Sequence, residues 1–157
     1  DLGIKNYRID HFEITSTGWT EDDGRSVKVE VAQEMIRRKA LKENYDAWLS
    51  WECDQIIPLN SLSKMVKLMI DGGYMMVVAN SWARTIPTEF NTNMGVTLVS
   101  KEALKMSWFL PTGNSQESID LSAHYDVDET MFKKRVLNAG GNYVEAYGII
   151  SPIYHLN

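Results

Sequence analysis

The chain has 157 residues, 44% of them apolar and 24% charged, a size that buries a substantial core without help from a disulfide or a metal. Sixteen basic residues against 21 acidic ones give a net charge of -5, which argues against nonspecific nucleic-acid binding because backbone recognition needs clustered Lys and Arg. Cys53 is the only cysteine, so an intrachain disulfide is excluded, and no apolar run is long enough to span a bilayer. A single soluble, cytoplasmic domain over residues 1–157 is expected. The chain opens at Asp1 without a Met, as a fragment or a processed product would.

Residues 4–15 alternate loosely through Tyr7, Ile9, Phe12 and Ile14 and read as a strand, followed by a polar loop. From Val27 to Asn44 the period becomes helical. Val27, Val31 and Met35 form one apolar row, and Ala32, Ile36 and Ala40 form the next, as a helix packed on a sheet requires. Ala47–Cys53 is a short buried strand, and Leu62, Met65, Val66, Met69 and Ile70 mark a second helix that Gly72-Gly73 ends. Tyr74–Ala79 is a strand, and Asn80 to Met94 is aperiodic. Gly95–Ser100 is a strand, Lys101–Trp108 a short helix, and 111–123 polar and irregular. Asp128–Asn138 is a last helix, and Tyr143–Ile150 a closing strand. This alternation favours an α/β three-layer sandwich with a mostly parallel central sheet.

The stretch YDAWLSWECDQIIP, residues 45–58, puts two acids at the end of a core strand. In extended backbone Glu52 and Asp54 share one side, and Cys53 faces the other way as a buried thiol. Ligands of open α/β sheets bind outside the carboxyl ends of strands. Two carboxylates there suit a hard divalent cation that neutralises a diphosphate leaving group. The same triplet also occurs as an ordinary solvated strand end, with its acids paired to lysines.

The order of IRRKALKENYDAWLSWECDQIIPLNSLSKMVKLM, MGVTLVSKEAL (94–104), DETMFKKRVLNAGG (128–141) and SPIYHLN resembles the GT-A glycosyltransferases, particularly the family 2-like group, over roughly residues 27 to 155. The resemblance implies a GT-A sheet and transfer of a sugar from a nucleotide-diphosphate sugar, of the UDP or GDP type, to an acceptor hydroxyl such as that of a glycan. It also implies a Mn²⁺ or Mg²⁺ cofactor held by Asp54, with Glu52 and His155. Glu52 could serve the ribose instead, and Arg37 and Arg38 fall where the family has basic residues facing the nucleotide. The base that takes the acceptor proton maps to the pair Asp128-Glu129, with Glu129 where the family has its Asp. Both Glu52 and Glu129 are one methylene longer than the family pattern. Only about 26 residues precede the long helix, so the element that grips the nucleotide base is expected to be shortened or absent.

Simpler roles stand beside these. Asp128 could merely cap its helix, and Arg37 and Arg38 are ordinary residues for a helix end. Trp48 and Trp51 are expected in the core, and Trp82 and Trp108 at an acceptor surface; His11 and His124 have no assigned role. Two other functions remain open at this level. One is a non-catalytic GT-A-like carbohydrate-binding or structural module. The other is a sugar nucleotidyltransferase, although neither G-x-G-x-x-G nor a P-loop lysine is present.

Overall fold

The computed structural model describes residues 21–79, 94–110, 127–146, 148–150 and 152–156. The strand expected at 4–15, Trp82, His11, His124 and the irregular segment 111–123 lie outside them. Helix α1 (Glu21–Lys42) starts inside the stretch read as a loop. It is followed by β1 (Ala47–Trp51), β2 (Gln55–Ile56), α2 (Ser61–Gly72), β3 (Met76–Val78), β4 (Val96–Ser100), α3 (Lys101–Met106), α4 (Val127–Asn138), β5 (Tyr143–Glu145) and β6 (Tyr154–His155).

Local chemistry sets the boundaries. Asn44 takes a left-handed φ of 63°, which Asn tolerates, and turns the end of α1 into β1. Gly73 caps α2 with φ 65°, the left-handed ending that glycine adopts without strain. The Ser100 hydroxyl accepts from the Ala103 amide (3.2 Å) and so starts α3 directly from β4. Gly141 lies so close under α4 that a Cβ there would stand 2.8 Å from the Val136 carbonyl oxygen.

The main sheet has the order β1-β4-β3-β5. The β1–β4 and β4–β3 pairings are antiparallel and β3–β5 is parallel. This overturns the expected mostly parallel, GT-A-like sheet: the sheet is small, mixed and mostly antiparallel in its pairing. A parallel neighbour requires the chain to be carried back to the far end of the sheet. Here the Ala79 amide donates to the Val96 carbonyl (2.9 Å), so the chain enters β4 at the edge where it left β3, and β4 must run back against it. Because β4 opposes both neighbours, β1, β3 and β5 share a direction and finish at one edge, beside the start of β4.

Register sorts the two faces. The row Trp48–Val99–Met76–Tyr143 packs under α1, α3 and α4 with Ala40, Leu104, Phe109, Phe132 and Val136. Phe109 and Phe132 stack at 4.4 Å, and Trp48 meets Phe109 edge-on at 5.7 Å. The row Leu49–Leu98–Val77–Val144 faces the other way, with Met65, Leu68 and Met69 of α2 and Ile150 packed on it. Trp48 is thus a core residue, as expected.

The buried side of α1 differs from the expected apolar rows. Met35 and Ile36 are each 37% exposed, whereas Gln33 and Glu34 are buried with Ala40. The helix turns a polar stripe inward because that stripe finds partners there, described next.

Candidate functional site

The site assembles where β1, β3 and β5 finish. β1 ends at Trp51, which is exposed rather than in the core and donates its indole N–H to the Gln55 carbonyl (2.9 Å). Glu52 to Gln55 do not continue the strand. The Gln55 amide donates back to the Glu52 carbonyl (3.2 Å), closing a turn. The extended geometry expected for Glu52 and Asp54 is therefore corrected to a turn, and Cys53, expected as a buried thiol, is exposed at its tip. The Gln55 side chain is buried and donates to a Glu52 carboxylate oxygen (2.7 Å), while its own Oε1 is buried with no partner.

β6 then pairs antiparallel with β2, placing His155 opposite Gln55, and the Leu156 amide donates to the Asp54 carbonyl (2.7 Å). Residues 52, 54 and 155, a hundred positions apart in the chain, are thus neighbours along the backbone. The side chain of His155 lies outside the described residues. Among the described residues no group of three His, Cys, Asp or Glu side chains could hold a metal ion. With the sheet topology, this leaves the description as a GT-A, metal-binding glycosyltransferase unmatched.

A second polar group lies on the α1/α4 face of the same edge. One Glu129 oxygen accepts from the Gln33 side-chain amide (2.8 Å), and the other accepts from the Met94 backbone amide (2.7 Å). Both donors stabilise the ionised carboxylate. The side chain of Asp128 is outside the described residues. One helical turn beyond Glu129, Lys133 is only 2% exposed and its Nζ lies 4.9 Å from the centre of the Tyr143 ring. Burial pushes the Lys133 pKa down, against the opposing pull of Glu145 and Glu129. Burial, and then the charge of Glu145, push the Tyr143 hydroxyl up. Beneath them register sets a row Ser50–Thr97–Val78–Glu145 across all four strands. Thr97 is fully buried and its hydroxyl has no partner.

Arg37 and Arg38 gather on Glu34. Arg37 makes a two-pronged pair with the Glu34 carboxylate (2.8 Å each) and donates to the Leu104 carbonyl (2.6 Å). Arg38 Nε donates to the same carboxylate (2.7 Å), as does the Phe109 amide (3.1 Å). Burial alone would raise the Glu34 pKa. The Arg37 and Arg38 hydrogen bonds, the Phe109 amide and the Arg37 charge outweigh it and hold the carboxyl at about 2. Trp108 is 36% exposed, lies under the Arg135 guanidinium (4.5 Å), and its carbonyl accepts from that side chain.

Sequence reasoning singled out Glu52, Asp54, His155 and Glu129, all of which the fold carries to this edge. It missed Gln33, Gln55, Thr97 and Lys133. Thr97 alone among them carried a signal in the sequence, as a polar residue within the apolar run GVTLVS. No protein-family model, curated protein or solved structure matches this chain. No helix among the described residues is long and apolar enough to cross a membrane.

Proposed function

We propose that this edge binds a nucleotide-diphosphate sugar of the UDP or GDP type and that the chain transfers its sugar to an acceptor hydroxyl. The observation that supports this is the β2–β6 pairing, which gathers the Glu52–Asp54 turn and His155 at the end of strands that share a direction. The donor chemistry of the turn fits a hard cation. Gln55, whose side-chain amide holds Glu52, keeps a buried carbonyl oxygen without a partner, and the turn also carries the carboxylates of Glu52 and Asp54; oxygen ligands are what Mn²⁺ and Mg²⁺ take. On this reading Asp54, Glu52 and His155 hold the cation, which supplies positive charge against the diphosphate. Glu129 takes the proton from the acceptor hydroxyl, held in place for it by Gln33 and the Met94 amide. Arg37 and Arg38 act through Glu34 and Phe109 as supports of the α1 face rather than as nucleotide contacts.

One observation favours a second reading, a carbohydrate-binding module without catalysis. Glu52 and Glu129 are both engaged by neighbouring amide groups, as structural carboxylates are. Calorimetric titration of UDP and GDP, with and without Mn²⁺ and repeated on Asp54→Ala, separates the two. Cation-dependent binding that the substitution removes supports transfer. Absence of nucleotide binding by folded protein refutes it and leaves the binding module.

A further inference from the structure

Gln55 is an unexpected occupant of β2. It is 3% exposed, between the acidic turn and Ile56-Ile57, where an apolar side chain would pack at no polar cost. Its backbone is fully engaged without help from the side chain. The amide donates to the Glu52 carbonyl (3.2 Å), the carbonyl accepts from the Trp51 indole (2.9 Å), and the strand lies opposite His155 of β6. Any residue supplies that amide and carbonyl, so none of these bonds calls for glutamine. The Gln55 side chain makes one hydrogen bond among the described residues, from Nε2 to a Glu52 carboxylate oxygen (2.7 Å), and leaves Oε1 buried without a partner. A carboxylate only accepts, so the amide must turn its nitrogen to Glu52 and its oxygen elsewhere. Leaving that oxygen unpaired is costly. Satisfying Glu52 does not require it, because Glu52 is exposed and water serves a carboxylate as well. What the bond supplies is a fixed direction. The main chain of Glu52 is tied to the start of β4 through the Gly95 carbonyl (2.9 Å), and Gln55 then fixes the far end of its side chain.

We propose that Gln55 is the positioning residue of the cation site: its amide holds one oxygen of Glu52 and leaves the other to ligate Mn²⁺ or Mg²⁺. This rests on the transfer reading above, and it assigns Glu52 to the cation rather than to the ribose. Carboxylates that ligate a metal carry such an outer hydrogen-bond partner, which orients them before the ion arrives. With one oxygen taken, Glu52 offers a single ligand atom. That suits Mg²⁺, which takes one or two carboxylates together with substrate phosphates. The length of Glu52 also has a reason here, since it carries the carboxylate to an amide that an aspartate would not reach. Gln55 is retained at a cost to the fold.

The test uses Mn²⁺ alone, titrated into the full chain and followed by loss of the free ion's electron paramagnetic resonance signal. Wild type, Gln55→Met, Glu52→Asp and the double variant are compared. Gln55→Met keeps the side-chain length and removes the amide. Glu52→Asp, at an exposed position, keeps the charge and shortens the reach. Each should raise the dissociation constant about tenfold, the lower end of what an outer partner contributes to metal affinity. The double variant should bind no more weakly than either single one, because both remove the same hydrogen bond. A merely structural glutamine acts independently of Glu52, and the two losses then multiply to about a hundredfold. That product, or an unchanged constant in either single variant, overturns the proposal, as does wild-type protein that takes up no Mn²⁺. If Gln55→Met does not fold, Glu52→Asp decides by itself, and an affinity equal to or tighter than wild type overturns the assignment. The calorimetric titration keeps the two readings apart. Cation-dependent nucleotide binding alongside any of these failures refutes the role of Gln55 and leaves transfer standing, whereas absent nucleotide binding refutes transfer whatever the Mn²⁺ result.

Discussion

Glu34 is a buried carboxylate held by two arginines and the Phe109 amide, and replacing it with Gln isolates its charge. The carboxyl falls from its ordinary 4.5 to about 2 in the folded chain. Each tenfold change in proton affinity is worth about 1.4 kcal/mol, so the difference amounts to about 3 kcal/mol. Arg38, one of its partners, is 68% exposed on its side chain, and solvent screening there brings the expectation to about 2 kcal/mol. The sign follows from the direction. A carboxyl whose pKa is lower in the folded state contributes its stability in full above the unfolded value near 4.5, and loses it as pH falls through about 2. Urea denaturation of wild type and Glu34→Gln across pH 2 to 7 measures the effect. The gap between the two proteins should be nearly constant above pH 5 and shrink by about 2 kcal/mol toward pH 2. Other carboxylates titrate in both proteins and cancel in the difference. Parallel stability curves through that interval would show that Glu34 is not held ionised by Arg37, Arg38 and the Phe109 amide.

Two further outcomes follow from packing and exposure. Phe132 is fully buried and stacked on Phe109, so Phe132→Ala should cost about 3–5 kcal/mol in the same denaturation assay. A loss below about 1 kcal/mol would mean that the α4 layer does not close over the sheet as described. Cys53 is exposed at the tip of its turn, so the native protein should react with one equivalent of an aromatic disulfide such as DTNB without denaturant. Reaction only after unfolding would return Cys53 to the interior.

Much of the fold can be read along the chain because its causes are local. The helical period over Leu62–Ile70, the glycines at 72–73 and 140–141, and the largely apolar stretches at 76–78 and 96–100 locate α2, β3, β4 and α4 within a few residues. The sense of β4 is not local in that way. Strand and helix alternate before it, and the rule for parallel sheets follows from that alternation only while each connection carries a helix. No helical period can be read in 80–94, so the alternation that implies a parallel sheet ends at that connection.

The candidate site divides along the same line. Sequence alone marked Glu52, Asp54, Glu129 and His155, because acids at strand and helix ends stand out against apolar runs. Tertiary structure alone decided that 52–55 is a turn, that Cys53 is exposed, and that β6 lies against β2. It also decided that α1 buries Gln33 and Glu34 in place of Met35 and Ile36. A residue's period records which neighbours it has on its own element. Whether a polar side chain can be buried depends on a partner from another one, such as Glu129 for Gln33 or the Phe109 amide for Glu34, and that partner is fixed only when the chain has folded.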